Sequence, residues 1–375
     1  MKILFTGGGT GGHFYPLIAI AEAMNKLVDE EKIVNLKMYY MADRPYDTDA
    51  LKSQYITFIR VSAGKLRVYP SVQNLIDAIK TFFGIFGALR KVFVLYPDVI
   101  VSKGGYPAFP VLFAARLLRI PVIIHESDTA PGRVNKWSGK FAVRVAIAFP
   151  EAAAYFDESK VSLVGYPMRR STAMAATEDP VKFFELDPSM PVIGVIGGSQ
   201  GAKAINDAIV ALLPELLQKY QIIHQTGPAL YETVLEDSRI VLENNIHRTR
   251  YKVYPFLNEL QMKMFGGAST IVISRSGSGL FDIAAWGKPS ILIPYPIAHD
   301  DHQRKNAYHY ARAGGCVVVE ESNMNPSVIL HEIETILENK DRYDTMAHHA
   351  KDFFKPDAAR KIAIEALTIA LSHEK

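Results

Sequence analysis

The hydrophobic pattern at the start of the chain predicts a strand, a glycine turn and a helix. Ile3–Phe5 is a short apolar run, and glycine then fills most of residues 7–12. Pro16 heads a second run, and proline suits the first helical position because the N–H that it lacks has no partner there. The apolar residues of this run recur at steps of three and four, at Leu17, Ile20, Ala21, Met24 and Leu27. Backbone N–H groups of such a turn can approach an anion at the positive end of the helix dipole.

Short apolar runs alternate with helical patterns through the rest of the first half. This alternation favours a parallel sheet with helices on both faces. The candidate strands are Ile3–Phe5, Leu36–Tyr40, Thr57–Val61, Val99–Val101, Pro121–Ile124, Val143–Ala146 and Val161–Val164.

The opening motif recurs in the second half of the chain. Val192–Ile196 predicts a strand, residues 197–201 form a glycine turn, and residues 202–220 have a helical pattern. Gly197 follows Gly7 by about 190 residues, half of the 375-residue chain. We therefore expect two similar α/β domains with doubly wound parallel sheets, at 1–167 and 168–354. The stretch 171–190 is expected to be a loop, and a helix near 355–375 to pack back on the first domain.

A third glycine-rich turn follows the candidate strand Thr270–Ser274. The turn, residues 275–279, leads into a helical pattern at Leu280–Trp286. Ser278 and nearby amides are candidate donors to a pyrophosphate, with Arg275 as a candidate counter-charge.

Composition and charge narrow the function classes. A net charge of +3 gives no argument for a nucleic-acid partner. Cys316 is the only cysteine, which excludes an intramolecular disulfide and a cysteine-based zinc site. We expect no signal peptide, because the apolar start is only about four residues long before glycine interrupts it. We expect no membrane-spanning run, because no apolar run reaches about 18 residues. The expected compartment is cytoplasmic.

The segment 71–96 allows two interpretations. It is crowded with apolar residues and ends near Arg90 and Lys91, with Lys65 and Arg67 before it. One interpretation is a buried helix of the core. The other is an exposed apolar patch with a basic rim that lies on an anionic membrane surface.

Two further patterns give only weak evidence for a cofactor or a metal. Gly7, Gly9 and Gly12 satisfy the dinucleotide pattern, but the acid that should follow by about 20 residues comes late, at Asp43. The loop 298–306 contains adjacent histidines and aspartates, which cannot all face one ion without strain. Its Gln303 and Asn306 fit better as amide ligands for sugar hydroxyls. We expect no cofactor and no metal.

Taken in order, the motifs of this chain resemble those of the MurG family of N-acetylglucosaminyltransferases over nearly the whole length. They are GGTGGH with Pro16, Gly104-Gly105-Tyr106, His125-Glu126, Asn135-Lys136-Trp137, Gly197–Ala202, His224–Gly227, Ser274-Arg275 with Gly277, and Asp301–Ala307.

The resemblance implies a GT-B fold, in which two Rossmann-like domains face a cleft. It also implies a defined reaction. GlcNAc would pass with inversion from UDP-GlcNAc to the C4 hydroxyl of MurNAc in undecaprenyl-pyrophosphoryl-MurNAc-pentapeptide, so that lipid I becomes lipid II. The enzyme would lie peripherally on the cytoplasmic face of the membrane. The implied donor-binding residues are Thr10, Gly11, Gly12, Asp128, Arg169, Ser199, Gln200, Gly201, Phe256, Leu257, Ser278, Gly279, Asp282, Gln303 and Asn306.

The implied acceptor-binding residues are His13, Tyr106, Glu126 and Asn135. His13 is also the hypothesised general base, because a neutral imidazole titrates near working pH. A hydrogen bond from His13 to the acceptor or its phosphate, or a structural role, stays open.

Two positions depart from the family pattern. The family usually has His-Glu-Gln-Asn where this chain has His125-Glu126-Ser127-Asp128, so a carboxyl replaces an amide. The ribose-binding position is normally glutamate, and here it is Asp282 in a segment one residue shorter.

Three other functions share parts of this pattern. A UDP-GlcNAc 2-epimerase also has two Rossmann-like domains but needs no lipid, so residues 75–89 would then belong to the core. A membrane-recruited subunit without activity is the non-catalytic alternative. A lipid glycosyltransferase with a diacylglycerol acceptor is the third.

Overall fold

The computed structural model describes residues 1–33, 35–65, 72–173, 179–198 and 201–372. The chain divides into two compact units. Unit 1 comprises Met1–Arg169 and Lys355–Lys375, and unit 2 comprises Arg170–Phe354.

The described residues of each unit form a parallel sheet. Within them, unit 1 has seven strands in the order β3-β2-β1-β4-β5-β6-β7, and unit 2 has six in the order β10-β9-β8-β11-β12-β13. The strands of unit 1 are β1 Lys2–Thr6, β2 Lys37–Ala42, β3 Ile56–Arg60, β4 Val99–Ser102, β5 Val122–Glu126, β6 Arg144–Ile147 and β7 Val161–Leu163. Those of unit 2 are β8 Val192–Ile196, β9 Gln221–Gln225, β10 Tyr251–Tyr254, β11 Ile271–Ser274, β12 Ser290–Leu292 and β13 Cys316–Val318.

Helices connect the strands of both sheets. They are α1 Gly11–Glu30, α2 Thr48–Ser53, α3 Val72–Leu95, α4 Phe109–Leu118, α5 Arg133–Ser138, α6 Arg170–Ala173, α7 Pro180–Phe183, α8 Lys203–Lys219, α9 Tyr231–Val241, α10 Glu259–Ala268, α11 Gly279–Trp286, α12 His302–Arg312, α13 Pro326–Leu337, α14 Lys340–Phe353 and α15 Ala358–Ser372. Short 3₁₀ turns lie at Tyr106–Ala108, Pro150–Tyr155, Glu158–Lys160, Arg248–Arg250, His299–Asp301 and Glu321–Asn323.

The core of unit 1 lies on both faces of its sheet. Ile3 and Phe5 of β1 pack on one face with α1 and the C-terminal helix α15. Leu4 points to the other face and packs with α3 and α4. Because β1 is buried on both sides, its residues Ile3–Phe5 form an uninterrupted apolar run, as the sequence indicated.

The prediction that Pro16 begins the first helix is wrong. Helix α1 starts at Gly11, so Pro16 lies inside it, in the second turn. Proline has no N–H for the carbonyl of Gly12, four residues earlier. The Tyr166 hydroxyl donates a hydrogen bond to that carbonyl instead, at 3.5 Å, which explains why the helix tolerates the proline. The glycine turn, not the proline, therefore marks the helix start.

Helix α3 is exposed along one face, so the interpretation of segment 71–96 as a buried helix is wrong. Its core side consists of small residues at steps of four, and Ala88 and Val92 pack on α4 and the sheet. Gly84 lies so close to the Ser62 carbonyl that a Cβ there would collide with it. The exposed face carries Leu75, Ile76, Ile79, Phe82, Phe83, Phe86 and Phe93. Three residues of the predicted basic rim are exposed, namely Lys65, Arg90 and Lys91. The fourth, Arg67, lies outside the described residues.

The expected loop at 171–190 contains two short helices, α6 and α7, within its described part. The Asp179 carboxylate caps α7 by accepting hydrogen bonds from the Val181 and Lys182 amides. No helix among the residues described here has both the length and the apolar character needed to cross a bilayer.

Candidate active site

The residues that the sequence singled out follow the carboxyl ends of the parallel strands in each unit. In unit 1 the chain turns in opposite directions after β1 and β4, which are neighbours in the sheet. The glycine turn 7–10 follows β1, and residues 103–106 follow β4. In unit 2 the same position lies between β8 and β11. Ligands of open α/β sheets bind at such switch points.

Thr10 and His13 form a linked pair at the start of α1. The Thr10 hydroxyl lies 2.9 Å from His13 Nδ1, and the hydroxyl makes no capping bond to the helix backbone. The hydroxyl therefore orients the imidazole. When Nδ1 carries the proton and donates to Thr10, His13 Nε2 has the lone pair that a general base needs.

The glycine turn is held in place by two tyrosines. The Tyr40 hydroxyl donates to the Gly7 carbonyl at 2.7 Å. Tyr106 lies against Gly9, where a Cβ would come within 3.1 Å of its ring. The Tyr106 hydroxyl donates to the Asp43 carboxylate at 3.1 Å. Asp43, the late acid of the dinucleotide pattern, thus serves to fix Tyr106. Burial and Asp43 raise the pKa of Tyr106.

Glu126 and Asn135 are both buried and hold the loop after β5. The Glu126 carboxylate accepts hydrogen bonds from the amides of Ser127, Asp128 and Gly132, at 2.8 to 3.1 Å, and from Asn135 Nδ2 at 2.9 Å. Asn135 Nδ2 also donates to the His125 carbonyl. Both side chains, expected to bind the acceptor, therefore organise the loop that carries Asp128.

Lys103 is the site residue that the sequence analysis missed. Its side chain is 1% exposed, and its ammonium donates to Ser127 Oγ at 2.8 Å. Burial lowers the pKa of Lys103, and the carboxylates of Glu126 and Asp128 oppose that effect. Burial and the Asp128 charge raise the pKa of Glu126, while Lys103 acts in the opposite direction. The sequence signal was a lysine directly after a buried strand and before two glycines.

The glycine turn of unit 2 is braced by side chains of β9 and α8. Gln225 Nε2 donates to the Gly198 carbonyl at 2.9 Å. Gly201 has a positive φ of 79°, and a Cβ there would collide with the Thr226 carbonyl. Asn206 Nδ2 donates to that same carbonyl at 3.0 Å. Ser199 and Gln200, the predicted pyrophosphate ligands, lie outside the described residues.

His224 has a structural role beneath this turn. Its Nε2 contacts the Asn206 amide oxygen at 3.0 Å, and its Nδ1 contacts the Tyr251 hydroxyl at 2.9 Å. Complete burial lowers the pKa of His224 to about 3, so the ring is neutral.

Gln303 and Asn306 lie on one face of α12 beside the third glycine turn. Ser276 Oγ donates to the Gln303 carbonyl at 2.7 Å, and Asn306 Nδ2 donates to the Ser276 carbonyl at 3.3 Å. Asn306 is buried, whereas Gln303 is partly exposed, and Gln303 Oε1 accepts from the Tyr295 amide at 3.0 Å. Gln303 thus presents its amide group beside Gly277 while Asn306 fixes the turn.

Arg275, a predicted counter-charge for a pyrophosphate, has its guanidinium engaged within the protein. Its guanidinium donates to the carbonyls of Ile293 and Pro294, at 3.0 and 3.2 Å, and pairs with the Glu321 carboxylate. It also stacks over the Tyr295 ring. These contacts fix the loop after β12.

The remaining donor candidates begin or precede helices. Ser278 and Gly279 start α11, and Asp282 lies in its first turn, where a carboxylate is stabilised by the helix dipole. Phe256 is exposed and Leu257 is buried directly before α10. A capping box between Asn258 and Gln261 fixes the backbone at that point.

Arg169, which ends the first of the two segments of unit 1, stacks on the Tyr15 ring with its guanidinium carbon 4.2 Å from the ring centre. The Tyr15 hydroxyl donates to the Asp47 carboxylate at 3.2 Å. Burial, with a smaller contribution from Asp47, raises the pKa of Tyr15 to about 12. This stacking positions the Arg169 side chain at the end of the unit. Among the residues that the structure describes, no three His, Cys, Asp or Glu side chains are grouped so that they could hold a metal ion.

The sequence matches two family profiles, one in each half. The glycosyltransferase family 28 N-terminal domain matches residues 3–147, and the family 28 C-terminal domain matches residues 192–362. Two parallel α/β sheets, each with a glycine turn after its first strand, form the GT-B fold, and the two profiles place the chain among the glycosyltransferases of that fold.

Full-length relatives narrow the assignment further. The chain is 32% identical over 366 residues to the UDP-N-acetylglucosamine–N-acetylmuramyl-(pentapeptide) pyrophosphoryl-undecaprenol N-acetylglucosamine transferase of Halalkalibacterium halodurans, with 96% of this chain and 98% of that protein covered. It is 33% identical to the enzyme of the same name from Halothermothrix orenii, with 95% of both covered. The chain belongs to the MurG family within glycosyltransferase family 28.

Solved structures agree with this fold. The crystal structure of Acinetobacter baumannii MurG superimposes with a TM-score of 0.71 at 26% identity, covering 98% of this chain and 99% of that one. A UDP-GlcNAc 2-epimerase from Neisseria meningitidis has a TM-score of 0.73 at 17% identity, covering 98% and 100%. The second likeness establishes the shared fold alone.

Proposed function

We propose that this protein transfers GlcNAc from UDP-GlcNAc to the C4 hydroxyl of MurNAc in undecaprenyl-pyrophosphoryl-MurNAc-pentapeptide, with inversion. The reaction converts lipid I into lipid II in peptidoglycan synthesis, on which cell wall biogenesis, cell shape and cell division depend. The observation that carries this proposal is the full-length relation to enzymes of that name, at 32% and 33% identity.

The glycine turns of unit 2 support donor binding. At the two ends of the turn after β8, Gln225 Nε2 donates to the Gly198 carbonyl, and Gly201 lies close against the Thr226 carbonyl. Helix α11 begins at the third glycine turn, residues 275–279, where amides without intrahelical partners can donate to a diphosphate. Preorganised donors of this kind stabilise the charge that develops on departing UDP. We propose that these donors are provided by Ser199, Gln200, Gly201, Ser278 and Gly279.

The other donor contacts follow from the same resemblance. Asp282 would bind the ribose, and Gln303 the GlcNAc, with Asn306 fixing the turn beside it. Arg169 and the Phe256-Leu257 backbone would meet the uracil. Thr10–Gly12 and Asp128 of unit 1 would complete donor binding.

The acceptor half is unit 1, with His13 as the general base. The base would take the proton of the C4 hydroxyl as that oxygen attacks the anomeric carbon and the bond to UDP breaks. The Thr10 contact to His13 Nδ1 supports this role because it orients the ring. Tyr106, fixed by Asp43, would contact the acceptor, while Glu126 and Asn135 would act through the loop that they hold.

Helix α3 supports a peripheral position on the cytoplasmic face of the membrane. Its exposed apolar side chains occupy one face, and Lys65, Arg90 and Lys91 are exposed near the two ends of this stretch. An apolar face with basic neighbours favours the surface of an anionic bilayer, where the lipid acceptor resides.

The second candidate is a UDP-GlcNAc 2-epimerase, since such enzymes share the fold. The two functions separate in one experiment. The purified protein is incubated with UDP-GlcNAc alone, and then with a short-chain lipid I analogue. The proposal predicts UDP release only when the acceptor is present. Formation of UDP-ManNAc without acceptor would overturn it in favour of the epimerase.

A further inference from the structure

Lys103 occupies an unusual place for a charged side chain. It follows β4, is almost completely buried, and its ammonium is held by Ser127 Oγ at 2.8 Å. Ser127 stands between Glu126 and Asp128, so the ammonium lies in the field of two carboxylates. The backbone of Lys103 is also anchored, since its amide donates to the Thr6 carbonyl of β1.

Charge balance explains why a cation belongs there. Glu126 is buried and must keep four hydrogen bonds from the loop 127–132 and Asn135. Asp128, two residues further along the chain, adds a second carboxylate. Two buried or half-buried carboxylates repel one another and disfavour ionisation, whereas a nearby cation offsets this repulsion.

The lysine also lies close to the proposed chemistry. A Cβ on Gly7 would come within 3.2 Å of Lys103 Cβ and 3.0 Å of the His13 carbonyl. The loop that carries Asp128 and the glycine turn that leads to His13 therefore flank the same lysine. A shift of either segment would move proposed substrate contacts.

We propose that Lys103 is a positioning residue for the transfer reaction, and that it is required because Asp128 is a carboxylate. The buried ammonium compensates the added charge, so the Glu126 hydrogen bonds and the loop 127–132 keep their geometry. This inference rests on the proposed function. It predicts that Lys103 and Asp128 act as a coupled pair, and that the lysine becomes dispensable once residue 128 is an amide.

The test is a double-mutant cycle with K103M, D128N and K103M/D128N in the full-length protein. The kcat and KM for UDP-GlcNAc are measured with a short-chain lipid I analogue, and Tm is measured in parallel. We expect K103M to lower kcat/KM about 30-fold in the presence of Asp128 and less than about 5-fold in the D128N background. Equal losses in both backgrounds would overturn the proposal.

Folding failures are also decisive in this design. If K103M is insoluble and K103M/D128N is folded and active, the rescue supports the coupling. If neither variant folds, Lys103 acts independently of Asp128 and the proposal is wrong. Recovery of Tm without recovery of kcat/KM would show a purely structural role and would likewise contradict it. A wild-type protein without transfer activity would instead overturn the proposed function.

Discussion

The exposed face of α3 yields the sharpest quantitative prediction. Phe82 and Phe86 are 57% and 58% exposed, and their rings contact each other at 5.1 Å between centroids. We predict that a Phe82→Ser/Phe86→Ser variant keeps its fold and loses membrane binding. The fold is expected to survive because the core side of α3 consists of other residues, among them Ala88 and Val92.

The magnitude follows from the exposed area. A phenylalanine side chain buries roughly 150–250 Å² when it is fully covered, so each half-exposed ring has roughly 100 Å² left to bury. At about 25 cal/mol per Å², two rings could contribute about 5 kcal/mol. If half of this area enters the apolar layer, the loss is about 2.5 kcal/mol, which corresponds to roughly 70-fold in the vesicle partition constant.

The assay is flotation with vesicles that contain anionic lipid. We expect kcat/KM to fall for an acceptor embedded in vesicles and to stay near the wild-type value for a soluble short-chain acceptor. The matched control is Ile240→Ser/Ile246→Ser, which removes two exposed aliphatic side chains from unit 2. Vesicle binding of the phenylalanine variant equal to that of the wild type, or an equal loss in the control, would refute the reasoning.

Three other predictions concern the site and its support. Replacing Thr10 by Val should lower kcat about 10-fold, because the His13 ring loses its orienting hydrogen bond; steady-state kinetics with an unchanged kcat would refute this. Replacing Gly201 by Ala should weaken UDP binding more than 10-fold in calorimetry, because the added methyl meets the Thr226 carbonyl; wild-type affinity would contradict the assignment. His224 has a folded pKa of about 3 against 6.5, so below pH 6.5 the unfolded chain takes up the proton first and stability falls. Urea unfolding at pH 5.5 should give about 1.4 kcal/mol less from this residue than at pH 7.5, and a His224→Gln variant with the same pH dependence as the wild type would exclude it.

The parts of the fold that could be predicted are those in which buried residues follow one another in the sequence. The two glycine turns, the strands β1 and β8 and the two parallel sheets were predictable because apolar strands buried on both faces produce clear runs. In unit 2 the sequence also indicates strands at Ile222–Gln225 and Ile291–Pro294, which correspond to β9 and β12, but the strands β10 and β13 were missed. Both are edge strands of their sheet, four and three residues long, and their side chains are mostly half-buried, so they leave little pattern.

Where distant segments of the chain surround a residue, its role could not be predicted from its neighbours in the sequence. Lys103 looks like a surface residue in a turn, but its side chain is buried, with its amide bonded to Thr6 of β1 and its ammonium to Ser127 of the next loop. Arg275 reads as a free cation, but the loop after β12 and Glu321 take up its donors. For α3 a usable signal did exist: the steps of four from Gly84 to Val92 indicate a core side of small residues, and hence an exposed bulky side.

The measurement that tests the central claim most directly is the structure of the product. The protein is incubated with UDP-GlcNAc and a short-chain lipid I analogue, and the product is characterised by mass spectrometry and NMR. We predict one GlcNAc added per acceptor, in β linkage to the C4 hydroxyl of MurNAc, with one UDP released for each. An α-linked product, a sugar at another hydroxyl, or UDP-ManNAc in place of a disaccharide would contradict the account.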